Sequence, residues 1–173
     1  MLERLLIAGS GGQGVLVIGK LLAAIAANKV PHVTFFPSYG VEVRGGTSNC
    51  QVILSDEEIA SPVAEYVDSM IIMNQASADR FLSRGVPDCI KLVNTSLSSV
   101  DKAYKAVGIR ATDLANDLGN TCVANFIMLG AYQVRRPIMS STDIEKGIEE
   151  IFTGRKSALV DLNIKAFRAG LKI

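Results

Sequence analysis

Tryptophan is absent from this chain of 173 residues, histidine occurs once and cysteine three times. Each scarcity removes a class of chemistry. A histidine-based zinc or iron site draws on several imidazoles, and His32, beside Pro31, reads as a lone loop residue. Cys50, Cys89 and Cys122 are isolated and outside any C-x-x-C pattern, which argues against a disulfide framework. They cannot supply the thiolate set of an iron–sulfur cluster, so any cluster sits on another chain. Charge of one sign is lacking too: 18 Lys and Arg against 17 Asp and Glu leave +1, without the basic footprint of a nucleic-acid binder. The longest apolar stretch, Val15 to Ala27, is broken by Gly19 and Lys20 and falls short of the roughly 20 residues that span a membrane. Met1 to Ala8 contains Glu3 and Arg4 and no signal-peptide cleavage pattern, so a cytoplasmic location is expected.

What is present is apolar. Hydrophobic residues make up 49% and charged residues 20%, a balance from which some apolar surface is expected to meet another subunit. The length suits one domain over residues 1–173, burying about 70% of the surface of its unfolded chain. Leu2 to Ala8 predicts a buried first strand, and Val15, Ile18, Leu22 and Ile25 mark a helical face that ends near Asn28, with Pro31 just beyond. Val33 to Phe36 predicts a second strand that completes a βαβ unit with a right-handed crossover. Further strands are expected at Ser48 to Leu54, Met70 to Met73, Ile90 to Val93 and Val107 to Ala111, their apolar runs fitting a sheet covered on both faces. Helices are expected at Ser77 to Arg84, Asn120 to Val134 and Ala158 to Ala169. Another has Thr142 and Glu145 as its capping box, Ile144, Ile148 and Ile151 on one face, and Gly154 as its stop. The pattern predicts a three-layer α/β/α domain, Rossmann-like, with a mostly parallel or mixed sheet.

Two segments carry candidate chemistry. Gly9-Ser10-Gly11-Gly12-Gln13-Gly14 follows the first strand and opens the first helix. Gly9, Gly11 and Gly14 satisfy the G-x-G-x-x-G spacing, which allows a tight turn, close backbone approach and close helix packing. A dinucleotide site also wants an acid at the end of the second strand. Between Glu3 and Glu42 there is no Asp or Glu. The turn therefore serves either a dinucleotide or packing against its own or another chain. The second segment is Ser38-Tyr39-Gly40-Val41-Glu42-Val43-Arg44-Gly45-Gly46. In an extended stretch Glu42 and Arg44 share one side, and Gly40, Gly45 and Gly46 allow unusual backbone angles around them. Arg44 can fork a carboxylate or phosphate, Glu42 can orient it or meet a partner's cation, and Tyr39 offers a hydroxyl on a flat apolar face. The alternative is a surface loop with a local ion pair worth about 0 to 1 kcal/mol.

Together, Gly9-Ser10-Gly11-Gly12-Gln13-Gly14-Val15 and the Ser38 to Gly46 segment resemble the gamma subunit of 2-oxoacid:ferredoxin oxidoreductases. Ser55-Asp56-Glu57-Glu58-Ile59 with Pro62, and Asn125 with Leu129-Gly130-Ala131, extend the resemblance over residues 5–131. It implies an enzyme that converts a 2-oxoacid, coenzyme A and oxidised ferredoxin into acyl-CoA, carbon dioxide and reduced ferredoxin. It also implies thiamine diphosphate and iron–sulfur clusters on companion alpha, beta and delta subunits, with none bound by this chain alone. Gly9, Gly11, Gly12, Gln13 and Gly14, with Tyr39, Gly40, Glu42, Arg44, Gly45 and Gly46, become the cofactor-binding or subunit-interface candidates. No catalytic residue and no metal ligand is assigned. Ser38-Tyr39-Gly40 and Arg44-Gly45-Gly46 look more like the 2-oxoglutarate or branched-chain members than the pyruvate ones, and 2-oxoglutarate is the expected substrate. Two other readings are a free-standing Rossmann-like dinucleotide binder and an interaction module outside any catalytic complex.

Overall fold

The computed structural model describes residues 1–39 and 47–173. Its centre is β1, Leu2–Ser10, where Leu5 and Ile7 are buried toward one face and Leu6 and Ala8 toward the other. The chain turns into α1, Val15–Ala26, then β2, His32–Tyr39, and β3, Thr47–Ser55. β4, Val67–Ile72, leads into α2, Gln75–Phe81, and a 3-10 turn at Leu82–Arg84 before β5, Gly85–Asn94. β6, Val107–Ile109, passes directly into α3, Ala111–Asp117. The helices α4, Ala124–Arg135, α5, Ser141–Ile151, and α6, Val160–Gly170, complete the chain. None of the described helices is long and apolar enough to cross a membrane.

The six strands run in the order β2-β3-β1-β4-β5-β6. β1, β4, β5 and β6 are mutually parallel, whereas β3 is antiparallel to both β1 and β2. The expected βαβ pair is thereby corrected. β1 and β2 share a direction, but β3 lies between them and takes all the ladder bonds of both facing edges.

Layering is uneven. α1, α3, α4, α5 and α6 share one face with Leu5, Ile7, Val52, Leu54, Ile71 and Leu92 in the large core. The other face is covered at β1, β4 and β5 by the seven residues of α2 and its 3-10 turn, where Ala78, Phe81 and Leu82 meet Leu6, Met70, Ile72 and Val93. In α4 the ten residues from Ala124 to Gln133 are all buried. Gly130 is one reason this helix can be enclosed, since a Cβ there would stand 2.2 Å from the Phe167 carbonyl oxygen and 2.9 Å from Gly170 on α6.

Several element boundaries differ from the sequence expectation. The α5 capping box is Ser140 with Asp143, not Thr142 with Glu145. Glu145 instead receives a fork from Arg168 of α6 at 2.7 and 2.8 Å. The helix ends before Phe152, and Gly154 opens a 3-10 stretch with φ of 61° rather than stopping α5. The sixth strand stops at Ile109 because Ala111 already belongs to α3. His32 lies at the start of β2 rather than in a loop.

At the amino-terminal edge of the sheet, Arg4 donates from Nε and Nη2 to Asp68 at 2.8 Å each. This fork holds the Asp68 carboxyl below its ordinary value of 3.8, partly opposed by burial. Beside it, buried Glu3 accepts from the Tyr132 hydroxyl at 3.2 Å and pairs with Arg136 at 3.0 Å. Burial nevertheless pushes the Glu3 carboxyl above its ordinary 4.5. Asp68 therefore stabilises the fold above its unfolded pKa and loses that effect as pH falls through its folded one. Glu3 has the opposite sign: its contribution is full at low pH and is lost as pH rises through its raised pKa. Asp68→Asn is expected to lower stability at neutral pH and to flatten the acid limb of urea melts below about pH 4. Glu3→Gln is expected to gain on the parent as pH rises toward neutrality. An Asp68→Asn curve parallel to the parent at every pH contradicts this account.

Candidate functional site

The strand directions collect both sequence motifs at one edge. Ser10 at the end of β1 pairs with Thr47 at the start of β3, and Tyr39 at the end of β2 pairs with Ser48. Ile72 pairs with Ala8 and Val93, so the carboxyl ends of β4 and β5 lie along the same edge. Open α/β sheets place their ligands there. Gly40, Glu42, Arg44, Gly45 and Gly46 fall outside the described residues, but the residues on either side of them are anchored beside the glycine turn.

The turn is built by close packing. A Cβ at Gly9 would stand 2.9 Å from Met73 Cβ and 2.9 Å from Val15 Cγ1. Gly14 has φ of 68°, in the left-handed region, and a Cβ on it would stand 2.4 Å from Asn125 Nδ2. That amide nitrogen donates to the Gly14 carbonyl oxygen at 3.2 Å, while Asn125 Oδ1 accepts from the Phe126 amide at 3.0 Å. Gly14 and Asn125 thus lock the start of α1 to the start of α4. At Gly11 nothing in this chain lies within 4 Å of a built Cβ, so that side of the turn is open. Gly12 is equally open, but its φ of 89° favours glycine.

Side-chain amides tie the turn to neighbouring strand ends. Gln13 Oε1 accepts from the Ser10 amide at 2.7 Å, and Gln13 Nε2 donates to the Met73 carbonyl oxygen at 3.4 Å. Asn74 Nδ2 donates to Ser10 Oγ, while Asn74 Oδ1 caps α2 by accepting from the Ser77 amide at 2.9 Å. Asn94, fully buried, donates to the Met73 carbonyl oxygen at 3.2 Å and to Thr112 Oγ1 at 2.8 Å. Gln13 was legible from the motif and Asn125 from the family resemblance. Asn74 and Asn94 were missed: Asn74, where an apolar strand gives way to a helix, is a recognisable cap signal, whereas Asn94 bonds to Thr112, a partner distant in the chain.

The described part of this edge presents backbone and side-chain amides. Burial pushes the thiol of Cys50 on β3 up to about 12, so it is no ready thiolate at neutral pH; Cys89, pushed up to about 11, lies toward the opposite edge near Asp68, and exposed Cys122 lines the cavity at this edge. Among the described residues no group of three or more His, Cys, Asp or Glu could hold a metal ion. The cavity between Gly12, Gln13, Met73, Thr112, Thr121 and Cys122 measures about 170 Å³, below the roughly 300 Å³ at which small-molecule pockets begin. The inserted β3 also puts the end of β2 two strand spacings from β1, about 10 Å. An acid at the end of β2 would therefore not stand beside the glycine turn.

Residues 4–173 match the family model described as pyruvate ferredoxin/flavodoxin oxidoreductase. The ketoisovalerate oxidoreductase subunit VorA of Methanothermobacter thermautotrophicus is 34% identical over 169 residues, covering 96% of this chain and 35% of that protein. The chain therefore spans about a third of the length of this relative. The 2-oxoglutarate synthase subunit KorC of Methanocaldococcus jannaschii is 30% identical over 184 residues, covering 100% of this chain and 94% of that one. Among solved structures, the keto/oxoacid ferredoxin oxidoreductase gamma subunit of Geobacter sulfurreducens superposes with a TM-score of 0.82 at 28% identity, covering 98% of this chain and 96% of its own.

Substitutions separate the packed glycines from the open one. Gly9→Ala and Gly14→Ala are each expected to lower stability by about 1 to 3 kcal/mol in urea unfolding, the range for overpacking. Gly11→Ala is expected to stay within about 0.5 kcal/mol of the parent. Equal effects at all three positions contradict the packing account.

Proposed function

Because this chain belongs to the pyruvate ferredoxin/flavodoxin oxidoreductase family, we propose that it is the gamma subunit of a 2-oxoacid:ferredoxin oxidoreductase. In the assembled enzyme a 2-oxoacid, coenzyme A and oxidised ferredoxin yield acyl-CoA, carbon dioxide and reduced ferredoxin. Thiamine diphosphate and iron–sulfur clusters on companion alpha, beta and delta subunits supply the carbanion and electron-transfer chemistry. Three dispersed cysteines fall short of the four thiolates of a cluster, and the role assigned to this chain is to present a rigid recognition surface. The observation that carries the reading is the juxtaposition of Ser10 and Thr47, which seats the glycine turn and the Tyr39 to Gly46 segment at one edge. The expectation of 2-oxoglutarate as substrate is not singled out by the relatives, since VorA at 34% identity stands above KorC at 30%. A branched-chain 2-oxoacid fits the same loop residues.

Each polar element then has a task. The locked glycine turn forms a stiff floor against a partner subunit. Arg44, with its planar fork, binds a phosphate of coenzyme A or a partner carboxylate, and Glu42 orients that guanidinium. Exposed Phe36 on edge strand β2 and Val17 on α1 are apolar surface for contact with companion chains.

Reconstitution with wild-type companion chains tests this. If partner chains desolvate Glu42 and Arg44, removing one charge leaves the other uncompensated, a cost of about 3 to 5 kcal/mol. A solvated pair is worth about 0 to 1 kcal/mol. Arg44→Ala is expected to weaken the complex and to shift the coenzyme A titration of acyl-CoA formation. Arg110→Ala, at an exposed pair with Asp113, is expected to do neither. Parent-like assembly and titration in both Glu42→Gln and Arg44→Ala refute the assignment of this loop.

A further inference from the structure

Helix α2 reaches the glycine turn from one end and the first residue of β3 from the other. Its cap, Asn74, is bonded to Ser10 in the glycine turn. Near its other end, Arg80 Nη1 donates to Thr47 Oγ1 at 2.9 Å. Thr47 is the residue at which the chain enters β3 after Gly45-Gly46, and it is the ladder partner of Ser10. Arg80 is exposed, with its guanidinium carbon 5.3 Å from the centre of the buried Phe81 ring. Arg84 lies over the same ring at 5.8 Å and donates to the carbonyl oxygens of Glu65 and Ala64 at 2.8 and 2.7 Å. The Ala64 amide in turn donates to Gln51 Oε1 on β3 at 2.8 Å. Two arginines on one buried ring thus hold β3 at its first residue and the chain that crosses its outer face.

We propose that Arg80 is a positioning residue for the loop containing Glu42 and Arg44. The terminal residue of a strand opens readily unless something outside the ladder holds it. Arg80 supplies that hold at Thr47, which follows the loop in sequence, and Asn74 fixes the same helix to the glycine turn, so α2 sets the spacing between the turn and the start of β3. Stacking on Phe81 while donating to Thr47 uses the planar, delocalised guanidinium, which an ammonium group does not reproduce. The inference rests on the anion-recognition role proposed for Arg44.

The test uses the assembled enzyme, comparing Arg80→Ala, Arg80→Lys, Thr47→Val and the double variant Arg80→Ala/Thr47→Val with the parent. Hydrogen exchange is read over the amides of Thr47 to Asn49, and acyl-CoA formation over a coenzyme A titration. Arg80→Ala and Thr47→Val should each speed exchange and raise the KM for coenzyme A by about two- to tenfold, the range of one lost hydrogen bond. The change in kcat should be smaller. The double variant should be no worse than either single one, since both remove the same contact, and Arg80→Lys should recover only part of the loss. Unchanged exchange in Arg80→Ala, or additive effects in the double variant, overturns the proposal. Arg44→Ala separates the two claims. If it shifts the titration and Arg80→Ala does not, the loop keeps its role and Arg80 loses its own. If Arg44→Ala is parent-like, the reading of the loop fails and the positioning role falls with it, even where exchange at Thr47 speeds up.

Discussion

β1 can turn into α1 within four residues because Gly9 and Gly14 leave room for Met73, Val15 and Asn125. The rest of the molecule is arranged around that closure. β1 is central, with β3 on one side and β4 on the other. α1 is pressed so close to β3 that a Cβ at Gly19 would stand 2.4 Å from Cys50 Sγ. Asn125 then carries the constraint onward, joining the first turn of α1 to the most deeply buried helix of the fold. A side chain at Gly9 or Gly14 would disturb strand ends, helix starts and the amide network together, which is why a small volume at these two positions has a wide reach.

Local patterns made the elements legible, and non-local pairing hid their arrangement. Continuous apolar runs at Leu5 to Ala8 and Met70 to Met73 reported strands buried on both faces, and the glycine turn reported the first strand-to-helix passage. Nothing in the Val33 to Phe36 stretch records that β3 separates it from β1, because strand order depends on partners distant in the chain. The misplaced capping box has a similar cause. Ser140-Ser141-Thr142-Asp143-Ile144-Glu145 contains two overlapping Ser/Thr-x-x-acid patterns. Ser140 with Asp143 forms the cap, while Glu145 is engaged by Arg168 from another helix.

Spacing alone does not grade the packing within the glycine motif. It treated Gly9, Gly11 and Gly14 alike, whereas the structure packs the first and last tightly and leaves Gly11 open to solvent. The inserted antiparallel β3 explains why a nucleotide fingerprint can occur here without its acidic companion. With β2 displaced from β1, the turn no longer faces the strand end that would hold a ribose. What it faces instead is the base of the Tyr39 to Gly46 segment. Under the proposed function, a familiar phosphate-binding geometry becomes a rigid mount for the loop assigned to recognition.

The central claim, that this chain supports redox chemistry housed on companion subunits, is tested most directly by anaerobic purification from the native cell, followed by separation of the subunits. The account predicts a brown, thiamine-containing complex that includes this chain, from which the separated chain emerges colourless and without oxoacid oxidoreductase activity. A colourless monomer with full activity, or a stoichiometric iron–sulfur absorption band on the separated chain, would contradict it.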